Sequence, residues 1–238
     1  MKKLFLTSSL GTNIKVNEER IPCIMDNSNH MIEVLKKTLD KQNKLVIISS
    51  DPDNVLLNDL YHRINKESFY LSGFSFSEII TIDNRNKNDL KNLIKDADLI
   101  ILSGGHVPTQ NKWFHDINLK DVLQSYHGVI LGISAGSMNC ADIVYSPPES
   151  DGEAGDVNYK RFLNGLSLTD INIIPHFDEV KEELVDGINV FEKIILPDSE
   201  NKTFYGLNDG SFIEIDKDQM IIHGECFIIK NKAVKKMT

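Results

Sequence analysis

The sequence predicts an α/β fold built on a mostly parallel sheet, and three observations carry that prediction. Short apolar runs recur from residue 3 to about residue 140. The stretches between them carry helical periodicity, and the C-terminal third changes to short strands separated by turn residues. Because the runs are continuous and do not alternate with polar residues, they mark strands covered on both faces, as in a parallel sheet between helices.

In chain order the runs are KLFLTSS (3–9), KLVIISS (44–50), SEIITID (77–83), DLIILSGG (98–105), GVILGIS (128–134) and INIIPHF (171–177). MIEVLKKTLDKQN, between the first two, places Met31, Val34, Leu35 and Leu39 on one helical face, and NDLKNLIKDA precedes the fourth run. YSPPESDGEAGDVNYK (145–160) reads as a long loop rich in proline, glycine and acids, a length that often carries function. From Thr203 to Val234, short strands are punctuated by Asn-Asp-Gly, Asp-Lys-Asp and His-Gly turns, which predicts an antiparallel extension of the same sheet. Neither an internal repeat nor a domain boundary interrupts the chain, so residues 1–238 are read as a single domain.

The composition, 41% hydrophobic and 26% charged, is that of a soluble globular protein. A formal net charge of -9 leaves no basic face to neutralise phosphates, which argues against nucleic acid as a partner. The lysines of KNKAVKKMT read as a solvated chain end. Cys23, Cys140 and Cys226 are too few and too scattered for a disulfide framework or a Cys-rich zinc site. The apolar run near the N-terminus is too short for a signal-peptide core, and no stretch is long enough to span a bilayer. A cytoplasmic protein with reduced thiols, and no membrane partner, is expected.

Ligands of open α/β sheets bind beyond the carboxyl ends of the strands, and three strand ends here carry unusual residues. In LIILSGGHVPTQ, Gly104 and Gly105 let the backbone approach a ligand and free amide groups for an anion. In LGISAGSMN, Gly132 and Gly136 flank Ser134, the G-x-S-x-G pattern of a strand-to-helix turn that projects a serine hydroxyl. The Ala135 amide follows that serine and is a candidate oxyanion donor, with an amide of the Gly104–Gly105 turn as the second. In INIIPHFDE, His176 ends a run expected at the same sheet edge, where an imidazole could take the Ser134 proton. The acid that would orient His176 is left open among Glu149, Asp151, Glu153, Asp178, Glu179 and Asp209.

These three motifs, with the opening KKLFLTSS, resemble the peptidase E group of aspartyl dipeptidases, which has cyanophycinases as relatives. The resemblance implies a flavodoxin-like three-layer α/β sandwich related to class I glutamine amidotransferases. It also implies hydrolysis of short peptides with N-terminal aspartate by a Ser-His-acid triad, without metal or cofactor. Carried over, Ser134 matches the nucleophile, His176 the base, and Gly105 and Ala135 the oxyanion donors. The family's acid lies some 15 to 18 positions beyond the serine, which matches Glu149, with Asp151 and Glu153 as neighbours. The chain departs from the pattern in having His106 for an asparagine in the GGHVPTQ turn, in its glutamate for the acid, and in a longer loop before His176.

A pocket for an aspartate side chain needs a cation or amide donors, for which Lys160, Arg161, Gln110 and Asn111 are the candidates. An esterase of α/β-hydrolase type shares G-x-S-x-G and the order Ser, acid, His. That fold, however, places its histidine near the chain end, and His223 falls on a hairpin turn. A non-catalytic amidotransferase-like binding domain has little need for both Ser134 and His176. His106 and His115, nine apart across a proline, lack a metal-ligand spacing. The expected partner is a small peptide, and the expected assembly a monomer or homodimer.

Overall fold

A computed structural model describes residues 3–217 and 219–237. Seven strands form the central sheet in the order Gln219–His223, Phe212–Asp216, Lys3–Thr7, Val129–Ile133, Leu99–Leu102, Lys44–Ile48 and Glu78–Ile82. The five from Lys3–Thr7 onward run parallel, and the two at the other edge are antiparallel.

The continuous apolar runs follow from burial on both faces. Leu4, Leu6, Val46, Ile48, Ile100, Leu102 and Ile130 enter one core, which also holds Leu90, Val107, Trp113 and Leu123 from the helices Leu90–Lys95, Val107–Asp116 and Leu119–Gln124. Phe5, Leu45, Ile47, Leu99, Ile101, Val129 and Leu131 enter the other, with Met31 and Leu35 of helix Met31–Thr38 and Phe69 of helix Val55–Leu71. Each fully buried side chain of this size contributes about 1.5–3 kcal/mol, so both faces hold the sheet in place. The result is the three-layer sandwich. The Met31–Thr38 helix ends before the predicted stretch does, because Leu39 turns to φ -83, ψ 107.

The chain runs outward from Lys44–Ile48 to Glu78–Ile82, then returns to Leu99–Leu102 on the opposite side. The loops after Lys44–Ile48 and Leu99–Leu102 therefore diverge and open a crevice.

The structure corrects two expectations. The INIIPHF run does not join the central sheet: Asn172–Ile174 pairs in parallel with Thr203–Leu207 in a second sheet, completed by Cys226–Lys230 and Ala233–Lys236. Of the described C-terminal strands, Phe212–Asp216 and Gln219–His223 extend the central sheet and the others do not. A third core with Tyr145, Ile174, Phe177, Phe191, Phe204 and Ile229 packs against the second sheet. Apolar runs report that a strand is buried, not which sheet buries it. Among the described residues, no helix is long and apolar enough to cross a membrane.

Candidate active site

Ser134 sits between the strand Val129–Ile133 and the short helix Ala135–Met138 at φ 49, ψ -116, a conformation that side chains rarely adopt. Such a residue costs on the order of 1–3 kcal/mol and persists only where its surroundings enforce it. The enforcement is visible. A Cβ on Gly136 would fall on the Leu102 carbonyl oxygen, and one on Gly132 would lie 2.6 Å from the Ser137 Cα. Both glycines are needed for strand and helix to meet this closely. The Ser134 amide donates to the Thr7 carbonyl at 2.9 Å, while the Ser137 hydroxyl accepts from the Thr7 amide and donates to its carbonyl. The turn is thereby fastened to the first strand.

His176 is held by the second sheet. Ile174 pairs with Gly206, so Asn172–Ile174 and Thr203–Leu207 end side by side and deliver His176 and Asp209 to one place. His176 Nε2 lies 3.1 Å from Ser134 Oγ, and Nδ1 lies 2.7 Å from Asp209 Oδ1. Ser8, just beyond the first strand, accepts from the His176 amide and donates to Asp209 Oδ1, both at 2.7 Å. The hydrogen bond to Asp209 pushes the His176 imidazole above its usual range, against the opposing effect of burial. The same bond holds the Asp209 carboxyl below the usual carboxylate range. The two shifts agree in describing a pair favoured in its charged form.

Glu149 does not reach His176. Its Oε1 accepts from the Val107 amide at 2.8 Å, at the N-terminus of the helix Val107–Asp116, where first-turn amides need acceptors. Glu153 binds His106 Nε2 at 2.7 Å and accepts from the amides of Glu149 and Ser150. The long acidic loop thus fastens the turn that carries Gly105, and Glu149 and Glu153 are spent on that task. Asp178 pairs with Lys181, and Asp151 is exposed. Burial, together with the Glu153 and Glu183 charges, raises the Glu149 carboxyl.

Two cavities meet at the Ser134–His176 pair. One, of about 430 Å³, occupies the crevice at the ends of the central strands and is lined by Ser49, Ser103, Gly104 and Gly105 with Asn13 and Arg20 from the hairpin Asn13–Val16/Glu19–Pro22. The other, also about 430 Å³, is lined by Glu149, Glu179, Glu182 and Glu183. An added Cβ on Gly104 would lie 3.4 Å from the Ser134 Cβ, so the glycine turn stands against the serine.

The family model for Peptidase family S51 matches residues 25–223, well over half of the chain. The chain belongs to peptidase family S51. Membership makes this S51 chain a serine-type peptidase. No curated protein sequence matches it. Among solved structures it is similar to the 1.5 Å crystal structure of a candidate peptidase E protein from Listeria monocytogenes EGD-e, with a TM-score of 0.58 and 14% identity over 100% of both chains. At that identity, the likeness concerns the fold.

Other sequence candidates of the S51 chain lie elsewhere. Arg161 is engaged by Asp198 at 2.6 Å, and Gln110 and Asn111 are buried in a network with Ser103, Asn139 and Asn164. His106 and His115 take separate partners, Glu153 and the Asn164 carbonyl. Among the described residues, no three His, Cys, Asp or Glu side chains group as metal ligands do. Ser8 and Arg20 were not foreseen. Ser8 carries a readable signal, a polar residue ending a buried strand at the same rim, whereas Arg20 lies on a hairpin the apolar runs do not mark.

Proposed function

We propose that this S51 peptidase cleaves short peptides, dipeptides with N-terminal aspartate among them, with Ser134 as nucleophile, His176 as general base and Asp209 as the acid. The continuous line of hydrogen bonds from Ser134 through His176 to Asp209 carries the reading. His176 Nε2 takes the hydroxyl proton as Ser134 Oγ bonds to the peptide carbonyl carbon. The carbonyl oxygen becomes an oxyanion, which the amides of Gly105 and Ala135 receive. The Ala135 amide opens a helix, where it has no intrahelical acceptor. The intermediate collapses, the C–N bond breaks, and Nε2 returns its proton to the leaving amine. Water then attacks the acyl-enzyme by the same route in reverse. Asp209 holds the imidazole tautomer and stabilises the imidazolium.

The reading includes a cytoplasmic location, in keeping with three free thiols, of which Cys140 and Cys226 are buried. It is tested with p-nitroanilides of Asp, Glu, Ala and Leu and a p-nitrophenyl ester, with and without Ser134→Ala. Anilide cleavage that favours Asp and vanishes in the variant is expected. Cleavage that survives Ser134→Ala would sink the mechanism, and ester hydrolysis alone would return the esterase reading.

A further inference from the structure

We infer that the crevice beside Ser134 binds a substrate carboxylate, with Arg20 as its counter-ion and the Ser49 hydroxyl as a buried hydrogen-bond donor. The inference deepens the peptidase reading and rests on it for the ligand being a peptide. Arg20 is the one lysine or arginine among the described residues that line this crevice, and no Asp or Glu lines it. Its guanidinium donates to Asn13 Oδ1 at 3.1 Å and stands 5.8 Å from the centre of the Tyr61 ring. Those contacts steady the group while occupying one of its five donors, and among the described residues no carboxylate pairs with it within 4.0 Å.

Ser49 is a second observation in the same crevice. It is 3% exposed, lines the crevice at the end of Lys44–Ile48, and among the described residues its Oγ has no hydrogen-bond partner. A buried hydroxyl gains from an acceptor, and a substrate carboxylate can bring one. The neighbouring cavity works in the opposite direction. Glu149, Glu179, Glu182 and Glu183 line it, and burial with mutual repulsion already raises the carboxyls of Glu149 and Glu183. A carboxylate is repelled there and accepted on the Arg20 side, so the two cavities together orient a charged peptide across Ser134.

The carboxylate has two sources in a short peptide, an N-terminal Asp or Glu side chain or the free C-terminus. Calorimetric titration of the full chain carrying Ser134→Ala separates them without turnover. The probes are Asp-Ala-amide against Asn-Ala-amide for the side chain, and Ala-Ala against Ala-Ala-amide for the C-terminus. One carboxylate peptide is expected to bind about three- to tenfold tighter than its neutral partner, the size of a charge-assisted contact to an exposed guanidinium. Arg20→Gln should erase that ratio, Arg20→Lys should retain part of it, and Ser49→Ala should reduce it. No measurable carboxylate preference, or one that survives Arg20→Gln, overturns the inference, and an unchanged ratio in Ser49→Ala removes Ser49 from it. Because Ser134 is absent from these proteins, the result is independent of the nucleophile. That reading fails separately, if the wild-type chain resists labelling by a neutral serine-reactive phosphonate.

Discussion

Asp209→Asn and Glu149→Gln, compared in one assay, identify the acid. In Asp209 a single oxygen accepts from both His176 Nδ1 and Ser8 Oγ at 2.7 Å, so the amide variant disturbs two bonds at once. Losing a buried acid behind a catalytic histidine costs about 10⁴-fold in kcat, about 5.4 kcal/mol. The Asp209 side chain is 51% exposed, and water replaces part of its field, so a loss of about 10²- to 10³-fold is expected. Because Asp209 raises the His176 imidazole and a general base must be neutral, activity climbs with pH through that raised value. In Asp209→Asn the ascending limb moves to lower pH. Glu149→Gln leaves the line intact and alters a helix-terminal contact and one charge in the neighbouring cavity, so its loss stays within about tenfold. The assay is kcat/KM for an Asp-anilide across pH. If Glu149→Gln falls as far as Asp209→Asn, or if the limb stays in place in Asp209→Asn, the assignment of Asp209 is refuted.

Ser8→Ala removes the donor to Asp209 and the acceptor for the His176 amide, and should lower kcat about tenfold with little change in KM. A change confined to KM would contradict this positioning role. Gly136→Ala drives a methyl group onto the Leu102 carbonyl and should destabilise the fold by at least about 1–3 kcal/mol in denaturant unfolding. Wild-type stability in that variant would mean that the elbow is less tightly packed than described.

The difference between Glu149 and Asp209 shows where reading the chain stops. Glu149 lies 15 residues beyond Ser134, within the expected range, yet its loop is drawn to the Val107 amide and its neighbour Glu153 to His106. Asp209 lies 33 residues after His176 in an Asn-Asp-Gly turn, a hairpin signal that leaves it one of six open candidates. Its proximity to His176 depends on the parallel pairing of Asn172–Ile174 with Thr203–Leu207, and nothing local specifies that pairing. Arg20 eluded the sequence for a related reason: its hairpin is exposed, without the apolar pattern that marks core strands.

By itself, the sequence determined the parallel central sheet, the elbow at Ser134 and the histidine expected to serve it. These features are local. Burial on both faces demands continuous apolar runs, and a strand meeting a helix at Gly132 and Gly136 demands the loss of side-chain bulk there. Only the tertiary structure decided which sheet carries His176, which carboxylate stands behind it, and what surrounds Ser134. Those depend on contacts between segments far apart in the chain, whose acids and arginines look alike until folding spends most of them on other partners.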